Sequence, residues 1–199
     1  VVTANYQLFS PNNDGNKDMI PFFQDTSRED VWTGEITTAE GTLIFSKEWR
    51  ETAERKFVWD GHAENGLLAR NGKHSYRLRS VDRAGNIGVS NVVKFEVNYE
   101  ETAIILTRAH DAFSPNADGK LDVQRFSVRI DVTEGVESYQ FRILDSGDRV
   151  VRSVSERAVP AEEMTWQGVG DSGSRVPDGE YVAELSVLYA NGNRPSTRT

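Results

Sequence analysis

The sequence contains no cysteine. Disulfides, thiolate catalysis and cysteine-ligated zinc are therefore excluded. No apolar run approaches the ~18 residues of a membrane-spanning helix, so membrane insertion is not expected. Histidine occurs only three times, as His62, His74 and His110. None of them has a metal-ligand spacing. Positive charge is scarce: 23 Lys and Arg stand against 31 Asp and Glu, for a net charge of −8. Both halves are acidic, with 12 basic and 15 acidic residues up to position 100, then 11 and 16. A chain without a basic stripe is a poor ligand for nucleic acid or for an anionic bilayer. Neither a nucleophile elbow nor a Gly-rich phosphate loop occurs, and no enzyme activity is expected.

What the sequence has is turns. Sixteen glycines and six prolines lie between short apolar stretches, in a chain that is 37% hydrophobic and 27% charged. Strand-like segments recur about every ten residues with turn signals between them, as at 42–46, 75–81 and 139–144. That pattern favours β-sandwiches.

The densest turn occurs twice. Phe9-Ser10-Pro11-Asn12-Asn13-Asp14-Gly15-Asn16-Lys17-Asp18 returns 104 positions later (113 − 9) as Phe113-Ser114-Pro115-Asn116-Ala117-Asp118-Gly119-Lys120-Leu121-Asp122. Trp59-Asp60-Gly61 returns 107 positions later (166 − 59) as Trp166-Gln167-Gly168. Two copies of one module are expected, at 1–100 and 101–199, giving an all-β chain of two tandem immunoglobulin-like, fibronectin III-like antiparallel sandwiches. The linker at 98–103 lacks Gly and Pro. The second copy ends where the counterpart of 91–97 would begin, so it is expected to lack its last strand and to expose a sheet edge. The chain starts at Val1 with neither Met nor signal peptide, and reads as a segment of something longer.

In the acidic turn, Asn12, Asp14, Asn16 and Asp18 alternate like the early ligands of a calcium loop. Asn116, Asp118 and Asp122 repeat them, and Lys120 offers only its carbonyl. The terminal bidentate Glu of an EF-hand is missing from both copies. With few charged ligands, binding in the range of about 10⁻⁴–10⁻³ M is expected. The competing reading is an Asx-rich turn held by its own hydrogen bonds.

Trp59 and Trp166 recur and are read as core. Trp32 and Trp49 align with Glu137 and Ser155 on this reading, so they are not repeated. Exposed, they would offer a sugar- or protein-binding surface. The runner-up function, a carbohydrate-binding or enzyme-accessory module, rests on them.

The segment Trp59-Asp60-Gly61, Gly66, Asn71-Gly72, Tyr76 and Asp82-Arg83-Ala84-Gly85-Asn86 resembles the immunoglobulin-like repeat of bacterial flagellar hook-capping proteins. In the second copy Gly147, Trp166-x-Gly168, Gly173 and Pro177-Asp178-Gly179-Glu180-Tyr181 are similar to it. The copy departs from it at Leu188-Tyr189-Ala190. The Phe-Ser-Pro-Asn-x-Asp-Gly-x-x-Asp turn is similar to one that opens related exported bacterial modules, where calcium accompanies it. The resemblance implies an exported protein at the cell surface, outer membrane or periplasm, with a spacer or adhesive role. Its partners would be other domains of the parent protein, another surface protein or a glycan.

Overall fold

Alternating apolar residues on short strands must bury one face, and two such sheets bury each other. The computed structural model describes every residue except Arg83. That residue of the expected turn at 82–86 lies outside the described residues. The chain divides into two compact units, Val1–Glu100 and Glu101–Thr199.

The first unit holds β1 (Val2–Ala4), β2 (Leu8–Phe9), β3 (Ile20–Gln24), β4 (Glu29–Thr38), β5 (Leu43–Glu51), β6 (Lys56–Trp59), β7 (Gly72–Val81), β8 (Ile87–Val89) and β9 (Val93–Val97). One sheet runs β1-β3-β6; the other runs β2-β9-β7-β4-β5, with β8 also on β7. Every pair is antiparallel except β2 on β9. Along β7, His74, Tyr76, Leu78 and Ser80 are buried, and the residues between them are not. The Tyr76 hydroxyl donates to Gln24 Oε1 at 2.7 Å, and Gln24 Nε2 donates to the Glu54 carbonyl at 2.8 Å. A buried polar pair thus has its partners. Burial pushes the Tyr76 phenol well above its ordinary pKa.

The second unit holds β10 (Ile104–Arg108), β11 (Gln124–Ile130), β12 (Val136–Asp145), β13 (Val150–Glu156), β14 (Glu163–Trp166), β15 (Tyr181–Tyr189) and β16 (Ser196–Arg198). Its sheets run β10-β11-β14 and β13-β12-β15-β16. The two units share one strand plan: two sheets face each other, antiparallel but for β2 on β9, with β1-β3-β6 matching β10-β11-β14. Both are immunoglobulin-like, fibronectin III-like sandwiches, as the strand spacing predicts.

Registers align the units residue by residue. Phe22 faces Phe57 as Phe126 faces Met164. Trp32 faces Ser80 as Tyr139 faces Val187, and Ile36 faces Tyr76 as Ile143 faces Ala183. The offset therefore steps from 104 to 107 once, in the loop before β12. A gradual drift, which paired Trp32 with Glu137 and Trp49 with Ser155, is corrected: the counterparts are Tyr139 and Glu156.

The expected loss of the last strand is refined. β16 pairs with β15, and Thr199 exchanges both backbone hydrogen bonds with Ala183 at 2.9 Å. In the first unit Val93 faces Tyr76, the counterpart of Ala183. Thr199 thus stands where Val93 does.

Candidate functional site

The two acidic turns have the same backbone. Asn13, Gly15 and Lys17 take φ of 61°, 87° and 55°; Ala117, Gly119 and Leu121 take 66°, 83° and 52°. Left-handed φ at every second residue turns successive amides to one side and makes an anion-binding nest. Four of these six residues are not glycine, and each pays a steric cost for the conformation. The turn's own side chains fill the nest. Asn12 Oδ1 accepts from the Asp14 amide at 3.1 Å, Asp14 Oδ1 from Asn16 at 2.9 Å, and Asp18 Oδ2 from Gly15 at 2.8 Å. In the second turn Asn116 Oδ1 accepts from Asp118 at 3.1 Å, Asp118 Oδ1 from Lys120 at 2.8 Å, and Asp122 Oδ2 from Gly119 at 2.7 Å. The neck of each turn is closed by Ser10 N–H to the Lys17 carbonyl at 3.0 Å and Ser114 N–H to Leu121 at 2.8 Å.

The turns differ at their last acid. Asp122 Oδ1 accepts from the Ala117 amide at 2.6 Å. Asp18 Oδ1 is buried and has no hydrogen-bond partner. An ionised oxygen in that state is costly unless a cation or proton meets it. Burial, then the charge of Asp18, raises the pKa of the nearby Tyr6 phenol, whose hydroxyl donates to the Met19 carbonyl. Each turn carries two carboxylates. Among the described residues no cluster of three His, Cys, Asp or Glu side chains is arranged around a metal position. A cation here would be held by two carboxylates, Asn amides and backbone carbonyls, the oxygen set that suits calcium. The orphaned oxygen fits such an ion in the first turn, and no such atom marks the second.

Both turns lean on the same partner. A Cβ on Gly61 would lie 2.8 and 2.9 Å from the Pro11 ring, and one on Gly168 would lie 2.7 Å from Pro115. The turn after each repeated Trp thus leaves room for the proline of the acidic turn. The indole of Trp59 donates to the His62 carbonyl at 2.8 Å and that of Trp166 to Val169 at 3.0 Å, which fixes the same turn in both units. This Pro–Gly contact was not anticipated, although each member of it repeats in the sequence.

Trp32 and Trp49 are 8% and 7% exposed, so the exposed indole surface expected from the sequence is not formed. Trp32 Nε1 donates to the Ser27 carbonyl at 3.0 Å. Trp49 lies over Gly34, where a Cβ would meet its ring at 2.8 Å. The register puts Phe141 at the Gly34 position and the exposed Glu156 at the Trp49 position. One unit fills the space from the neighbouring strand, and the other fills it from its own.

The histidines do not converge. His62 pairs with Asp60 at 3.2 Å. His74 is buried beside Phe95, and burial lowers its pKa. His110 accepts at its carbonyl from Gln124.

The FlgD Ig-like domain family matches residues 113–191, within the second unit. No curated protein matches the chain. Among solved structures, the chain is similar to fibronectin(III)-like modules of CbhA from Clostridium thermocellum, at 15% identity and a TM-score of 0.46, covering 100% of this chain and 92% of that one. It is also similar to a tetra-tandem repeat in the extending region of a large adhesion protein, at 17% identity and a TM-score of 0.34, covering 99% of this chain. It spans about half, 47%, of that structure's length. Over residues 113–191 the second unit is thus similar to the FlgD Ig-like domain, in keeping with its immunoglobulin-like sandwich.

Proposed function

We propose that the chain is a non-catalytic structural segment of a larger exported bacterial protein. Its immunoglobulin-like modules act as spacer or adhesive elements, and a weak calcium site at the opening turn of each module supports their shape. The observation that carries this is the repeated backbone of the two turns, alternately left-handed at three positions in each. Each turn holds two non-glycine residues in left-handed conformations, and a bound ion would add to the hydrogen bonds that keep them there. Calcium would do so through Asn12, Asp14, Asn16 and Asp18, and through Asn116, Asp118, Asp122 and the Lys120 carbonyl. The ion would supply no chemistry, only charge and coordination. Surface and periplasmic spaces hold enough calcium for a weak site to matter. The buried state of Trp32 and Trp49 removes the support for a sugar-binding reading.

The test is calorimetric melting in millimolar calcium and in chelator, with Asp14→Asn and Asp18→Asn beside the wild type. A midpoint of the first unit raised by calcium in the wild type and no longer raised in Asp18→Asn, with the response of the second unit kept, supports the site. Identical melts in calcium and chelator would sink it.

A further inference from the structure

Among the described residues, β5 and β13 each end a sheet. The outer backbone groups of such a strand are a template for another chain, the more so where apolar side chains lie beside them. Leu43 at the start of β5 and Val150 at the start of β13 are exposed. Just past each of them, one acidic residue from the turn after the repeated Trp meets the edge. The Glu64 amide donates to the Ile44 carbonyl at 2.9 Å, and the Ser46 amide donates to Glu64 Oε1 at 3.1 Å. The Asp171 amide donates to the Val151 carbonyl at 2.9 Å, and the Ser153 amide donates to Asp171 Oδ2 at 3.1 Å. A residue of a parallel strand makes this pair of bonds, one to the carbonyl before its partner and one from the amide after it. Here a side-chain carboxylate stands in for the incoming strand's carbonyl.

The contact is kept across a change of side chain. Aspartate is one methylene shorter than glutamate. The turn that carries it lies so close to β13 that a Cβ on Gly170 would be 3.0 Å from the Val151 carbonyl. The counterpart of Gly170 is Ala63, which keeps its Cβ beside the longer Glu64. Neither turn needs the acid for its own closure. Ala63 and Ala69 donate to the Leu67 and Gly61 carbonyls, and the matching bonds close the second turn. The carboxylate's bond to the strand is therefore a separate feature of each unit.

We propose that Glu64 and Asp171 are autoinhibitory contacts that keep the chain from pairing with copies of itself. Each occupies the backbone groups through which a strand of a second copy would join the sheet. A second copy is the relevant partner because an opened edge would meet its like on every neighbouring molecule. Two such edges pair antiparallel into a closed, self-complementary dimer. Leu43 and Val150 would add apolar contact to it. The device works whether or not the acidic turns bind an ion.

The test is sedimentation of the intact chain over a wide range of concentration, for the wild type and for Glu64→Ala with Asp171→Ala, alongside amide hydrogen exchange. The wild type should stay monomeric, with the Ser46 and Ser153 amides protected. In the dilute double variant those amides should exchange about tenfold faster or more, the loss expected for a bond to a charged group. As concentration rises, the variant's mass should climb toward that of a dimer and the two amides should slow again. Adding Ser46→Pro and Ser153→Pro removes both N–H groups at edge positions that tolerate proline, and should restore the monomer. A double variant that melts cooperatively yet stays monomeric overturns the proposal. So does one that fails to fold, since the acids would then be supports of the turns. Association that survives the two prolines, or fast exchange of both amides in the wild type, would overturn it as well.

Discussion

Gly61 and Gly66 both lie in the left-handed region, at φ of 87° and 76°, but only Gly61 has a neighbour within 4 Å of its absent Cβ. Alanine at 66 should therefore cost only the backbone penalty, about 1–2 kcal/mol. Alanine at 61 should cost about 1–3 kcal/mol more, because the methyl group overpacks against Pro11. The same order should hold for Gly168, which faces Pro115, against Gly173, which faces nothing. Urea unfolding followed by tryptophan fluorescence measures both pairs. Equal losses at 61 and 66 would mean that the proline contact carries no weight. In a Gly61→Ala chain, Pro11→Ala should recover part of the loss, since the two side chains are in contact.

Between neighbouring strands, the exchange of Gly34 and Trp49 for Phe141 and Glu156 makes a second prediction. Trp49→Glu alone opens a cavity and brings a charge to a buried position, a loss of about 3–5 kcal/mol. Gly34→Phe alone drives a ring into Trp49. Together the two changes rebuild the arrangement of the second unit. The double variant should be more stable than the sum of the singles by at least about 1 kcal/mol, as read from a denaturant double-mutant cycle. The exchange also shows where the sequence stops being legible. Strand spacing and alternation locate β7 and β15 from residues alone. The burial of Trp49 depends on which residue lies across the ladder, and a three-residue insertion before β12 hides that pairing. A glycine in mid-strand was the available signal, since Gly34 has no turn to explain it.

Glu184 links three strands. Its carboxylate accepts from Arg142 Nε of β12 at 2.9 Å and from Arg198 Nε of β16 at 2.7 Å. Burial opposes its charge, but the hydrogen bonds and charges of the two arginines outweigh it and hold its pKa below the ordinary 4.5. A depressed folded-state pKa stabilises above the unfolded value, and that stability is lost as pH falls through the folded one. The second unit should thus lose stability on acidification below pH 4.5. Glu184→Gln, assayed by melts across that range, should show a flatter dependence than wild type.

Over the whole molecule, the paired turns should answer calcium unequally. Asp18 leaves one buried oxygen without a partner, whereas both oxygens of Asp122 are occupied by amides. The first turn should therefore bind more tightly. At tenfold excess over its dissociation constant the stabilisation is about 1.4 kcal/mol, and Asp18→Asn should remove it. Titration calorimetry that finds two equal sites would contradict this asymmetry. The ligand types in these turns were legible, because Asn and Asp at alternate positions need no fold to be noticed. Their left-handed backbone at Lys17 and Leu121 was not, since neither residue type favours it. What holds it there is the return bond from Ser10 or Ser114, a contact seven residues along the chain.

Similar sandwiches in one polypeptide risk trading strands while they fold. The unlike packing over Gly34 and Phe141 works against that error. If β5 crossed to the second unit, Trp49 would meet the ring of Phe141. If β13 crossed to the first, Glu156 would stand over the empty slot at Gly34. Either exchange would thus cost packing energy, through overfilling in one unit and a void in the other, so the size of two side chains disfavours the wrong pairing.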